Sequence, residues 1–267
     1  MPRWLSVFIT IFAYTLLSTG FVLMKKGIGW IGFKGKKDKS FYKDLFLWIL
    51  GFGLINVYIV PNTIALKYLT PHLVSSMAGW GIIVMIFFSY LLLKEKLYRS
   101  DYFYTILIVV SIMFLHFFEY QESEEKVDVS VLIAVAFLPL SLLLPAILRL
   151  VPKRIKTILF AALSGISAGL IIVMMKVLVT FLGFDVPSYL ASPYFYLYLF
   201  FSLAAFITLQ VAYKLGQMMT VGPIQYSATI VYPALCSILI FGKHINLVQI
   251  IAISTIIFSV VAILKKH

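Results

Sequence analysis

The chain has 267 residues, of which 62% are hydrophobic and only 12% are charged, with a formal net charge of +12 at pH 7. This composition excludes a soluble globular domain and predicts a polytopic membrane protein. The single cysteine, Cys236, excludes an internal disulfide and a cysteine-based metal cluster. The positive balance does not indicate nucleic-acid binding, because the basic residues cluster at the ends of apolar segments.

Nine apolar segments follow one another along the chain, and the third, of about 23 residues, is long enough to cross the hydrocarbon layer of about 30 Å as a helix. The first is too long, and too closely followed by lysines, to be a signal peptide. The Pro61-Asn62 pair predicts a kink in the second. The predicted fold is an all-α integral membrane protein with about nine transmembrane helices, at residues 4–23, 45–66, 71–93, 102–118, 129–148, 157–182, 194–213, 221–241 and 247–264.

The third segment, residues 71–93, combines an abrupt polar end with an unusual interior. It stops where Lys94, Glu95 and Lys96 arrive together. Small, hydroxyl and indole side chains at mid-depth usually face other helices or a cavity rather than lipid. Here they are Ser75, Ser76, Gly79, Trp80 and Gly81.

Several short motifs recur at an offset of about 148 residues. FGKHI at 241–245 closes an apolar run as LKEKL at 93–97 closes the third segment, and AYKLG at 212–216 echoes ALKYL at 65–69. SAG at 167–169 with Lys176 downstream echoes STG at 18–20 with Lys25. The shared offset favours an internal duplication. The first repeat is predicted at 1–118 and the second at 155–267, with an acidic loop and a connecting helix at 119–154.

The charges predict an orientation for these segments. Loops after the odd-numbered segments, together with the C-terminus, hold seventeen basic residues and four acidic ones, whereas the opposite side holds four basic and six acidic residues. By the positive-inside rule the N-terminus is outside and the C-terminus is cytoplasmic. Five segments separate the starts of the two repeats, so the repeats are inverted, an arrangement frequent in secondary transporters.

The stretch LKYLTPHLVSSMAGWGIIVMIFFSYLLLKEKL at 66–97 resembles the signature region of the drug/metabolite transporter (DMT) superfamily, whose members include EamA-like proteins. A short turn leads there into a helix with small residues and a charged stop. The nine-helix layout, the Lys25-Lys26-Gly27 cluster, Trp48 and Lys176 are similar to the NIPA branch, described as magnesium transporters. The resemblance implies an inverted-repeat transporter fold and a transport activity.

One departure bears on the substrate. The NIPA-like pattern has a glutamate beside an asparagine in the second helix, whereas here Leu54 stands at the acid's position and only Asn56 is retained. All ten carboxylates lie at or beyond the ends of the predicted segments. Mg²⁺ prefers carboxylate and other hard oxygen ligands. The sequence therefore favours a small neutral or anionic metabolite over a Mg²⁺ or other divalent cation, with a non-transporting membrane scaffold as a further alternative.

The candidate substrate-binding residues are polar or aromatic side chains within the predicted segments. Lys176 either faces the cavity and pairs with an anionic substrate or extends outward along its segment to the interface. Trp80 either stacks on a flat or apolar substrate or packs between helices. Asn and Gln side chains in lipid-depth helices are costly when unpaired, so each must bond to a neighbouring helix, a water or a ligand. The full set is Tyr14, Ser18, Asn56, Ser75, Ser76, Trp80, Ser164, Ser167, Lys176, Gln210, Gln225, Tyr226 and Thr229.

Enzyme motifs are absent from the sequence, which contains no Gly-x-Ser-x-Gly elbow, no His-Glu-x-x-His and no phosphate-binding glycine loop. We therefore expect no enzyme activity, no catalytic residue, no metal site and no cofactor. The expected partners are the lipid bilayer and a small-molecule or ion substrate, with a homodimer as an open alternative. No nucleic-acid partner is expected.

Overall fold

The structure is a computed structural model that describes residues 3–31, 39–66, 78–96, 98–117, 134, 137, 141, 151–182, 186–241 and 247–264. Nearly all of these residues are helical, and no strand occurs among them. The all-α prediction is confirmed for this part of the chain. By its contacts the chain divides into two compact units, each described by itself below: one of Met1–Glu119, Gln217–Pro223 and Leu247–His267, the other of Tyr120–Gly216 and Ile224–Asn246.

The helices are labelled in chain order. The first unit contains α1 (Arg3–Lys26), a 3₁₀ turn (Ile28–Trp30), α2 (Lys39–Val57), α3 (Ile59–Leu66), α4 (Ala78–Phe88) with a π-helical turn (Ser89–Leu93), and α5 (Arg99–Phe117). It also contains α10 (Leu247–Leu264). The second unit contains α6 (Lys153–Leu182), the short α7 (Val186–Tyr189), α8 (Pro193–Leu215) and most of α9 (Met218–Phe241), whose residues 218–223 belong to the first unit.

Several of these helices fit a membrane protein. Within the described ranges, four helical stretches are long and apolar enough to cross a membrane: Trp4–Lys26, Lys39–Asn62, Lys153–Ile171 and Pro193–Leu215. Helices also occupy the predicted segments 221–241 and 247–264, residues 102–117 of the segment 102–118, and residues 78–93 of the segment 71–93. The fifth predicted segment, 129–148, lies outside the described residues except at three isolated positions.

Near the kink predicted for the second segment, the structure has a one-residue interruption between α2 and α3, and the kink itself stays a prediction. α2 ends at Val57 and α3 begins at Ile59, so the interruption falls at Tyr58. Pro61 has no N–H to donate to the carbonyl of Val57, four residues earlier, and its ring clashes with that carbonyl. The missing bond to the Val57 carbonyl therefore accounts for an interruption at this point, while the backbone N–H of Tyr58 still donates to the carbonyl of Leu54 and that of Asn62 to the carbonyl of Tyr58.

A pair of glycines brings α1 and α2 into close contact. A Cβ added at Gly20 would lie 2.7 Å from the carbonyl oxygen of Gly51 and 2.8 Å from a side-chain carbon of Ile55. Gly51 is buried in the same crossing. In lipid, helices associate by van der Waals packing and by close approach at small residues. These two glycines therefore allow a backbone contact that alanine would prevent.

Further contacts within the first unit join α4 to α5 and α5 to α10. Gly79 at the start of α4 faces the side chain of Val109 on α5. The rings of Tyr104 on α5 and Phe258 on α10 meet edge to face with centroids 6.3 Å apart. The last helix of the chain thus packs along a helix that lies in the first predicted repeat.

The second unit is built around the pairing of α6 with α8. Its buried cluster combines residues of α6, α8 and α9: Leu170, Val173, Met174, Phe201 and Cys236. Gly165 on α6 lies directly against the carbonyl of Gln225 and the methyl group of Ala228 on α9. Close packing of α6 against both α8 and α9 therefore holds this unit together.

Candidate functional site

The polar residues of α1 and α4 meet in the first unit and form what we call the Trp80 cluster: Thr15, Ser18, Trp80 and Gly81. The Ser18 hydroxyl donates a hydrogen bond of 2.7 Å to the carbonyl oxygen of Gly81. The indole N–H of Trp80 donates to the Thr15 hydroxyl oxygen at 3.0 Å. Thr15 and Ser18 are three residues apart and therefore share one face of α1. Two hydrogen bonds between side chains and their neighbours thus fix α4 to α1 at this level.

The indole N–H of Trp80 is hydrogen-bonded inside the protein, whereas part of the side chain is exposed. Its side chain is 39% exposed, although its neighbours Gly79, Gly81 and Ile82 are buried. The hydroxyl of Thr15, which accepts the indole N–H, itself donates to the carbonyl of Ile11 at 2.8 Å. The donor of Trp80 is therefore satisfied inside the protein, and the rest of the ring remains available to stack against a flat or apolar group.

Two other predicted residues of the first unit, Tyr14 and Asn56, lie on α1 and α2. Tyr14 is buried on α1, and its ring lies 6.3 Å from that of Tyr58 between centroids. Asn56 is exposed, and its amide donates to the carbonyl oxygen of Phe52 in its own helix at 2.7 Å. The predicted requirement that a lipid-depth amide find a partner is met for Asn56 by its own backbone.

In the second unit, the predicted serines lie on the buried side of α6. Ser164 and Ser167 are each 1% exposed. The Ser164 hydroxyl donates to the carbonyl oxygen of Ala205 on α8 at 2.9 Å. Gln210, also on α8, is buried as well. Ser164 therefore links α6 and α8 in the way that Ser18 links α1 and α4.

The predicted residues of α9 lie where this helix approaches α6. Gln225 and Tyr226 are buried, and the hydroxyl of Thr229 donates to the carbonyl oxygen of Gln225 at 2.9 Å. The side-chain amide oxygen of Gln225 is buried and accepts no hydrogen bond from the residues that the structure describes. A buried acceptor of this kind costs free energy until a donor reaches it. The amide oxygen of Gln225 is therefore an open bonding position on a predicted residue of the second unit.

Two candidate residues, and the side chain of a third, lie outside the described part of the chain. Ser75 and Ser76 precede the start of α4, and the side chain of Lys176 is not described although its backbone is in α6. Both interpretations of Lys176 remain predictions. Among the described residues, no three His, Cys, Asp or Glu side chains come together in a group that could hold a metal. The expectation of no metal and no cofactor also remains a prediction.

Two residues with a role in these contacts were not among the predicted ones. The Thr15 hydroxyl accepts the hydrogen bond from the Trp80 indole N–H. Its position three residues before Ser18, on the same face of α1, was the sequence signal that could have identified it. Glu95, from the polar stop after the third segment, accepts hydrogen bonds from the backbone of Met218 and Met219 at the start of α9. Its partners are 123 and 124 residues away, so no local pattern could have indicated them.

Comparisons with protein-family models, with curated proteins and with solved structures find no match to this chain.

Proposed function

We propose that the chain is a multi-pass membrane secondary transporter that moves a small neutral or anionic metabolite by alternating access. The observation that carries this proposal is the indole of Trp80, whose N–H is held by Thr15 while 39% of the side chain stays exposed, on the same face of α4 as Ile83 and Phe87. A tryptophan away from the interfacial belt, with its N–H already bonded, is suited to stack on a substrate rather than to anchor a helix at the membrane surface.

The proposed architecture has nine transmembrane helices in two inverted DMT/EamA-like repeats, with the N-terminus outside and the C-terminus in the cytoplasm. It is supported by the apolar helices at the predicted segments and by the seventeen basic residues assigned to one side. A tag at each terminus, tested for protease access in intact cells and in inverted vesicles, checks this orientation. Both tags cleaved from the same side would contradict it.

The substrate class follows from the charges of the chain. Its ten carboxylates lie at or beyond the predicted segment ends, so a dehydrated cation would find few hard ligands at mid-depth. Hydroxyl, amide and indole groups are the polar groups of the candidate site, and they suit a substrate that is neutral or carries a negative charge. Rescue of a host deficient in magnesium uptake by this chain would favour the divalent-cation alternative instead.

The binding proposal is tested by a stabilisation screen of the purified protein with small metabolites. A metabolite that raises the melting temperature of the wild-type protein is expected to bind Trp80→Ala about fivefold more weakly, because aromatic stacking contributes about 1 kcal/mol. Trp4→Phe is the matched control, since Trp4 is 63% exposed near the chain start and pairs with Phe8. Equal binding by the Trp80 and Trp4 variants would remove Trp80 from the site.

Thr15→Val separates the role of the hydroxyl from that of the ring. Valine keeps the shape of the threonine side chain but offers no acceptor to the indole N–H, so the ring loses its fixed orientation. We expect a metabolite that binds the wild-type protein to bind this variant more weakly, with a loss smaller than that of Trp80→Ala. A loss that Trp80→Ala shows and Thr15→Val does not would mean that the ring acts without the Thr15 contact.

A further inference from the structure

Both carboxylate oxygens of Glu95 bind the first turn of α9. The backbone N–H of Met218 donates to Oε1 at 2.7 Å, and that of Met219 donates to Oε2 at 2.9 Å. The first N–H groups of a helix have no partner within the helix, and the partial positive charge of this end favours an anion. Glu95 therefore supplies, from a distant part of the chain, the cap that a local side chain usually provides.

The backbone before Glu95 is shaped for this contact. After the π-helical turn Ser89–Leu93, Lys94 adopts the left-handed conformation with φ 55° and ψ 32°. It is the one non-glycine residue with positive φ among those described. Such a residue persists only when its surroundings hold it there. Lys94 and Lys96 are exposed whereas Glu95 is half-buried, so the turn directs the carboxylate inward and the two lysines outward.

A second contact holds the same turn of α9. Gly222 lies directly against the thioether of Met85 on α4, so that any Cβ at this position would overlap the Met85 side chain. Pro223 follows, and it has no N–H to donate to the carbonyl of Met219. The turn 218–222 is therefore bound by Met85 of α4 and by Glu95. Within α9, the hydrogen bond from residue 223 to the carbonyl of Met219 is missing.

We propose that residues 218–222 form a switch turn, which Glu95 holds docked and which undocks as a local event while the rest of the chain stays folded. The first unit's share of α9 ends at Pro223, the residue where the helix is weakened. Undocking breaks the two Glu95 bonds and the Met85 contact, and it exposes the buried side chains of Met218, Met219 and Val221. Its use as a gate in transport rests on the proposed function, whereas the local release does not.

Thiol labelling of the purified protein in lipid nanodiscs tests the release. Thr220, in the switch turn, is 7% exposed, and Thr220→Cys introduces a nearly isosteric thiol there. The native Cys236 is fully buried among the α6, α8 and α9 side chains and reports unfolding of the second unit. With maleimide labelling quantified at each site by mass spectrometry, Glu95→Ala is expected to raise the rate at position 220 by roughly 5- to 30-fold, equivalent to about 1–2 kcal/mol. The rate at Cys236 should stay unchanged.

Asp101→Ala is the matched control. Its carboxylate accepts a hydrogen bond of 2.9 Å from the backbone N–H of Tyr98, so this variant also removes an acid from a helix start, but one that acts over three residues. It should leave the labelling of position 220 unchanged. A Glu95→Ala protein labelled at the wild-type rate at 220, or labelled faster at 220 and Cys236 by the same factor, would overturn the switch turn. A protein that passes this test and binds no metabolite would retain the switch turn and lose its transport role.

Discussion

Replacement of Gly51 by alanine is expected to force α1 and α2 apart. A Cβ at this position would lie 2.7 Å from the backbone nitrogen of Met24 and 2.8 Å from its Cγ, and it would also overlap the carbonyl oxygen of Gly20. Backbone atoms cannot rotate away as the end of a side chain can, so the helices must separate. Overpacking costs about 1–3 kcal/mol, and the better helix propensity of alanine returns about 0.5–1 kcal/mol. We expect a net loss of about 1–2 kcal/mol in the free energy of unfolding.

Gly53 offers a matched control two residues further along α2. A Cβ there would meet nothing within 4 Å. Gly53→Ala should therefore show only the propensity gain, about 0.5–1 kcal/mol. The two variants are compared with the wild type by SDS titration of the purified protein, followed by far-ultraviolet circular dichroism. If Gly51→Ala proves as stable as Gly53→Ala, then α1 and α2 do not cross at these glycines.

Two further predictions concern helix packing in the two units. Ser18→Ala removes the hydrogen bond to Gly81 and is expected to lower the free energy of unfolding by about 0.5–1.5 kcal/mol. The control, Thr255→Val, loses only a bond within its own helix and should change the free energy of unfolding by less than about 0.5 kcal/mol in the same titration. Leu170→Ala leaves a cavity at a fully buried position in the second unit and should lower the free energy of unfolding by about 2–5 kcal/mol. The control, Leu203→Ala, changes a side chain that is 59% exposed and should be nearly neutral. Equal effects at the two leucines would contradict the assigned core.

The candidate site shows where reasoning from the sequence succeeded and where it stopped. Ser18 and Ser164 are neutral polar residues within predicted segments, and the structure pairs the hydroxyl of each with the carbonyl of a neighbouring helix. The identity of those partners, Gly81 and Ala205, was not accessible from the sequence. A serine needs any acceptor within reach, and the carbonyl that supplies it depends on which helices pack together.

The sequence by itself determined where most of the described helices lie. Backbone hydrogen bonds within a helix are local, and an apolar run of sufficient length followed by charges marks its extent, so α1, α8 and α10 occupy the predicted segments. The break before Pro61 is local for the same reason. Only the tertiary structure decided which faces meet, because these helices are apolar on all sides and carry no stripe that points to a neighbour. The packing of α10 on α5 and the cap that Glu95 places on α9 come from parts of the chain that are far apart in sequence, where pairing depends on shape and on the few polar groups that must be satisfied.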